Sequence, residues 1–264
     1  MPGQLDLFRA NMYGDFGPDL IRFENRWINS LIAHTTKKDV TGFTAFRKAV
    51  ESLLATSGKA DRFVAAKATR AQFVEIMKQY APDGLTEAEA MKPAALRMQG
   101  KTKEIVRKIM RDEFGGWSLK KAHRTLYKNL LCELGLPGDV SLYSKGINEE
   151  SFAFVNLYHW LARRAPHIDY YLGALAYTEM SVPPSFVAFK NACRRLKIRA
   201  NEYFTIHIAI DVHHTREAFE AINTAFRSKN LDLKKAWVGA TMAKEVGSQA
   251  FQAAVRKAMT CPKN

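Results

Sequence analysis

The chain has 264 residues, 47% hydrophobic and 25% charged, with 9 Pro, 15 Gly and three Cys. These proportions exclude a disordered chain, a collagen-like repeat and a disulfide-stapled scaffold, and the length suffices to bury a core that encloses a site. The net charge of +14 points toward anionic partners such as nucleic acid, a membrane surface or an acidic substrate. It is spread, however, and the eight Lys/Arg set against Asp232 and Glu245 in residues 226–264 read as a cationic, solvated face.

In the first 15 residues, Asp6, Arg9 and Asp15 interrupt the apolar run that a secretory peptide needs. No stretch approaches the roughly 18 consecutive apolar residues of a membrane span. Apolar residues recur at helical spacing from residue 19 to 33 (Leu20, Ile21, Phe23, Trp27, Ile28, Leu31) and from 41 to 55 (Phe43, Phe46, Val50, Leu54). Similar stretches cover 62–80, 86–114, 119–134, 149–164, 170–178, 185–196, 200–226 and 233–259. Between them, Gly58, Pro82-Asp83-Gly84, Gly115-Gly116, Gly135-Leu136-Pro137-Gly138, Pro166 and Pro183-Pro184 are each expected to end a helix. Pro93 and Gly100 divide 86–114 into two helices.

Strand signals are scarce, and no repeat or long linker separates two halves. The expected fold is all-α, a single domain over 1–264, with residues 1–85 a helical elaboration on a core formed by 86–264. Cys132, Cys193 and Cys261 lie far apart without C-x-x-C spacing, which fits a reduced, cytoplasmic setting rather than zinc or dithiol chemistry.

Three segments carry candidate chemistry. In the stretch 200–226, His207, Asp211 and His214 share one face, since about 100° per residue places Asp211 about 40° and His214 about 20° from His207. His213 points elsewhere. Two imidazoles and a carboxylate on successive turns can chelate a divalent metal, or can form a solvated stripe with an ordinary Asp–His hydrogen bond; the flanking Phe204, Ile206, Ile208, Ile210 and Val212 favour burial. Glu113 closes one helix before the Gly115-Gly116 bend, and His123 opens the next, so the bend can bring both to one point. Glu179 ends an apolar helix before Pro183-Pro184.

Together these residues resemble the ligand series of the heme-oxygenase-like diiron oxidases: Glu113, His123 ten residues later, Glu179, then His207, Asp211 and His214 at H-x3-D-x2-H spacing. The resemblance covers about residues 101–226. It implies a bundle of about seven core helices, with two Fe(II) ions held by the six residues, which are then both metal ligands and the catalytic centre. Manganese or a mixed pair would also suit. The donor chemistry agrees, because three carboxylates and three imidazoles offset most of the charge of two divalent ions, whereas calcium wants more oxygen and structural zinc fewer ligands and thiolates.

The resemblance further implies an enzyme that takes O2 as cosubstrate and electrons from an external donor, and oxidises a small amino-acid- or amine-like metabolite in specialised-metabolite biosynthesis. The first candidate reaction is N-oxygenation, the alternative oxidative C–C cleavage or desaturation of an amino or fatty acid. Members that oxygenate nitrogen tend to add one further carboxylate, for which Glu87, Glu89 and Glu104 are candidates, although acids at a helix start also serve its macrodipole. A homodimer and no membrane partner are expected. A basic, non-catalytic nucleic-acid-binding protein is the rival of another class, and no basic recognition helix supports it. His34, His159 and His167 read as structural. Trp117, Tyr127, Tyr177, Phe186 and Phe204 are the expected aromatic walls of a substrate pocket.

Overall fold

A computed structural model describes residues 1–35, 38, 40–54 and 58–262. Ala55, at the end of one expected helix, and Lys263 and Asn264 of the cationic tail lie outside them. The described residues contain no strand. Their α-helices are α1 (Gln4–Tyr13), α2 (Pro18–Ala33), α3 (Phe43–Glu51), α4 (Lys59–Ala66), α5 (Arg70–Gly84), α6 (Met91–Leu96), α7 (Gly100–Glu113), α8 (His123–Glu133), α9 (Glu149–Arg163), α10 (Asp169–Arg195), α11 (Glu202–Arg227) and α12 (Leu233–Ala258). None is long and apolar enough to cross a membrane.

Three long helices set the frame. α10 runs between α11 and α12, α7 lies along α11, α9 packs on α12 and α5, and α8 touches α11 and α5. The contact of α10 with α12 is backbone on backbone: a Cβ on Gly173 would stand 1.7 Å from the Ala236 carbonyl oxygen, and one on Gly239 1.8 Å from that of Tyr170. Only glycine permits that approach. Apolar faces then close two clusters, one around Phe46, Tyr171 and Trp237 and another around Phe73, Tyr127 and Phe204. Each fully buried side chain of this kind contributes about 1.5–3 kcal/mol. The early helices dock through buried polar groups. Arg164 donates to Glu24 at 2.6 and 2.7 Å and to Asn11 at 2.9 Å, and Asn156 donates to the Gln4 carbonyl at 2.8 Å.

Several elements depart from the sequence reading. α1 was not expected. The 62–80 stretch is two helices, because Thr69 starts α5 with a capping box in which its hydroxyl accepts from Gln72 N–H and the Gln72 side chain accepts from Thr69 N–H. Pro82 ends nothing. It enters the last turn of α5, where its fixed φ suits the helix and one ladder bond is forgone.

The larger correction is Pro183-Pro184, which lies inside the 27 residues of α10. The stretches 170–178 and 185–196 are therefore one helix, and Glu179 sits in its interior instead of at an end. Pro183 lacks the N–H that would have bonded the Glu179 carbonyl four residues back. The Thr215 hydroxyl of α11 stands in for it, 2.9 Å from the Glu179 carbonyl oxygen and 2.6 Å from that of Asp211. A side chain from the neighbouring helix thus satisfies the freed group, which lets a helix pass through proline.

Candidate metal centre

The six expected residues converge in the middle of this frame, where α7, α8, α10 and α11 meet. His123, His214 and Asp211 are 0%, 0% and 1% exposed, and His207, Glu179 and Glu113 are also buried. Helical spacing does part of this work: His207, Asp211 and His214 share the inward face of α11, while His213 is exposed. The bend does the rest. Gly115 takes φ +83°, and a Cβ there would stand 2.3 Å from the Ser118 carbonyl oxygen, so the chain turns sharply between Glu113 at the end of α7 and His123 at the start of α8. His123 Nδ1 comes to 2.7 Å from Glu113 Oε2.

The donors fall into two groups. One comprises Glu87, Glu113, His123 and His207, the other Glu113, Glu179, Asp211 and His214. Within each, one ligand atom per residue lies within 4.8 Å of every other. Glu113 belongs to both. Its Oε2 faces His123 while its Oε1 is 3.3 Å from His214 Nδ1, which also stands 3.3 Å from Glu179 and 3.5 Å from Asp211.

Glu87 is a seventh candidate donor. It lies in the turn between α5 and α6, with its Oε1 3.1 Å from His207 Nε2. Glu89 and Glu104 do not join it: Glu89 pairs with Lys92 at 3.2 Å, and Glu104 is exposed. Tyr203 holds this end in place. Its hydroxyl donates to Glu87 Oε1 at 3.2 Å, and its carbonyl accepts from His207 Nδ1–H at 2.6 Å, which leaves Nε2 with its lone pair facing the group.

Close approach here is not hydrogen bonding. Both nitrogens of His123 and of His214, together with Asp211 Oδ1 and Glu87 Oε2, are buried without a hydrogen-bond partner among the described residues. Such orphans are expensive unless something else satisfies them. Four carboxylates also match the charge of two divalent cations, and a mixed imidazole–carboxylate set suits iron. The residues present therefore fit a dinuclear metal group.

Electrostatics without a cation say the same. Burial, with the Glu113 and Asp211 carboxylates adding to it and His123 opposing, pushes Glu87 up to about 8. Burial also lifts Asp211 to about 6 and raises Glu179, although His214 pulls against both. For Glu113 burial is outweighed by His123, His214 and His207, which hold it below the usual carboxylate range. Burial would lower His214, but Asp211, Glu113 and Glu179 raise it to about 12, so a proton there offsets part of the clustered charge.

A cavity of about 370 Å³ opens on the centre, lined by Glu87, Glu113, Glu179, His207 and Asp211. Tyr127, Tyr177, Phe186 and Phe204 wall it as expected. Trp117 does not. It is 96% exposed, because the Gly115-Gly116 turn, with positive φ at both residues, carries it out to solvent. His34 and His167 are surface residues, whereas His159 is buried and lines the cavity. The sequence reading missed Tyr203, Thr215 and Asp83 as parts of this site. Tyr203 carried a signal, being one helical turn before His207; Asp83 read only as a helix break.

Comparison with known proteins shows what the chain is similar to. A sequence model of the family described as iron-containing redox enzyme matches residues 74–248. A nitrosourea synthase of Streptomyces achromogenes subsp. streptozoticus is 33% identical over 217 residues, covering 78% of this chain and 42% of the relative, so the chain spans less than half of that protein's length. Among solved structures, a CADD-like protein of unknown function from Nostoc punctiforme superposes with a TM-score of 0.65 at 15% identity, over 83% of this chain and 96% of the other. A domain of unknown function with a heme oxygenase-like fold from Shewanella denitrificans does so with a TM-score of 0.60 at 16% identity, over 84% and 94%.

Proposed function

The chain belongs to the iron-containing redox enzyme family, and from that premise we propose that it is an O2-dependent diiron oxygenase acting on the nitrogen of a small amine-like metabolite. The observation that carries the reading is the seven-donor set with Glu113 shared between its two groups and Glu87 as the added carboxylate. Glu87, Glu113, His123 and His207 would hold one iron, and Glu113, Glu179, Asp211 and His214 the other. Bound there, a pair of Fe(II) ions supplies the electrons that dioxygen needs for its first reduction.

The chain's own residues do the rest. Tyr203 fixes the tautomer of His207 and the orientation of Glu87. Thr215 ties the backbone of Glu179 to that of Asp211, so that α10 and α11 present their ligands in a fixed relation. The aromatic walls hold a small substrate against the centre and keep bulk water away. For each nitrogen oxygenated, one oxygen atom of O2 goes to substrate and the other leaves as water, with two protons and two electrons drawn from an external reductant. The matching of a nitrosourea synthase supports chemistry at nitrogen.

The test is to reconstitute the protein anaerobically with Fe(II) and expose it to isotopically labelled dioxygen with candidate amines and a reductant. Mass spectrometry should find label retained on nitrogen. Alkene, nitrile or aldehyde products without an N–O bond would overturn the assignment in favour of C–C cleavage or desaturation.

A further inference from the structure

The cavity has a charge character opposite to that of the whole molecule. Although the chain carries +14, no Lys or Arg is among the described residues that line the cavity, whereas six carboxylates are. Four of them are the proposed iron ligands, and two divalent ions would neutralise those four. Asp61 and Asp83 remain. Asp61 is occupied at the start of α4, where its carboxylate accepts from Gly58 N–H at 2.8 Å. The Asp83 carboxyl has no hydrogen bond and no cation within ion-pair distance among the described residues, and it lines the cavity. Left unpaired, it is pushed up to about 8 by burial and then by Glu87, so a ligand cation would take the place of the proton it holds.

From this arrangement we infer that Asp83 is the substrate-recognition residue, the counter-ion for an ammonium or guanidinium group on a ligand that fills the aromatic-walled cavity. The inference deepens the proposed function, on which it rests for the identity of the site. Asp83 lines the same cavity as Glu87, His207 and Glu113, so a cation held at Asp83 shares that cavity with this end of the centre. A second observation also points to a ligand. His159 is 1% exposed, lines the same cavity, and leaves its Nδ1 without a partner among the described residues. Burial, with Arg163 and Arg164 adding to it, depresses His159 to about 3, so it stays neutral and offers the ligand a hydrogen bond without competing for Asp83.

Size and range support this assignment. A cavity of about 370 Å³ is at the small end of ligand pockets, which run from about 300 to 1,000 Å³, and suits a metabolite rather than a polymer. The positive exterior does not reverse the selection, because surface charge is screened beyond about 8 Å at physiological ionic strength while a charge inside a low-dielectric cavity is not. An anionic ligand would meet no fixed side-chain cation there and one unpaired carboxylate. A free fatty acid fits poorly.

Binding of three probes of one length, hexylamine, hexanol and hexanoate, together with hexylguanidine, decides the matter by calorimetry on the full chain with its metal content measured beforehand. Both cations should bind at least about tenfold more tightly than hexanol, and hexanoate more weakly still. Asp83→Asn should abolish the preference for the cations while leaving hexanol affinity and metal content unchanged. Hexanol or hexanoate binding the unmodified chain as tightly as hexylamine would overturn the inference, as would an Asp83→Asn protein that keeps the preference. Because the unmodified chain answers by itself, a variant that fails to fold leaves the test intact. Cation selection by protein that takes up no iron would refute the oxygenase reading, and would still support Asp83 only if Asp83→Asn abolishes it; selection that persists in that variant belongs to the other carboxylates and overturns the inference.

Discussion

The two halves of the centre are built differently. Glu179, Asp211 and His214 all come from the interiors of α10 and α11, two long helices packed on each other, and the backbones of Glu179 and Asp211 are linked through Thr215. The other half draws His207 from the same rigid helix, but its remaining private donors are Glu87, from a turn, and His123, from the first residue of α8. The Glu87 side chain is 19% exposed, against 2% for Asp211. One half is a rigid socket. Both halves border the cavity, but the other is held by a further side chain, Tyr203, which a single substitution can loosen. Ligands on rigid elements hold geometry, and ligands on turns can adjust as the ligand count changes.

Breaking the bridge should have the largest effect. Glu113→Ala removes the donor common to both groups, so metal analysis after anaerobic reconstitution should find both irons lost, with helical content by circular dichroism nearly unchanged because apolar faces hold the helices. Retention of either ion at full occupancy would show that the halves are independent. Next, Asp211→Ala or His214→Ala should empty the socket and leave about one iron per chain, while His213→Ala, altering an exposed residue, should bind as the unmodified chain does. A more modest loss follows at the adjustable half. Tyr203→Phe removes the bond to Glu87 but keeps the carbonyl that orients His207, and should weaken one iron by about tenfold in competition with a chelator, the range for an outer-layer partner.

The smallest effect is on stability. In metal-free protein Glu87 and Asp83, both raised to about 8 by burial first of all, hold protons that the unfolded chain releases near pH 4 to 4.5. His214, raised to about 12, likewise keeps a proton that the unfolded imidazole loses near 6.5. In the window from pH 6 to 8 the folded state therefore binds more protons, so stability falls as pH rises. Differential scanning calorimetry should show Tm of the metal-free chain dropping over that window. Iron should reverse the trend, because it binds the deprotonated ligands. A metal-free Tm that rises from pH 6 to 8 would contradict the assignment of these protons.

The same contrast explains what the sequence could disclose. His207, Asp211 and His214 were legible because a regular helix repeats every 3.6 residues, so spacing alone puts them on one face. Glu113 and His123 were legible through the glycine pair between them. Glu87 was visible only as one of three acids at a plausible distance, since a turn has no period with which to choose among them. Asp83 was hidden inside Pro82-Asp83-Gly84, where both neighbours announced a break, yet α5 continues through it. Pro183-Pro184 misled for a different reason. Whether proline ends a helix depends on whether the freed carbonyl finds another donor, and that donor, Thr215, lies on another helix.

The central claim is that the two donor groups sharing Glu113 hold a pair of irons. Ferrous titration of the unmodified chain under strict anaerobiosis, with bound iron counted after removal of excess metal, tests it most directly. The account requires two equivalents per chain, both consumed as electron donors when dioxygen is admitted. Binding of one equivalent or none, in protein of native helical content, would contradict it.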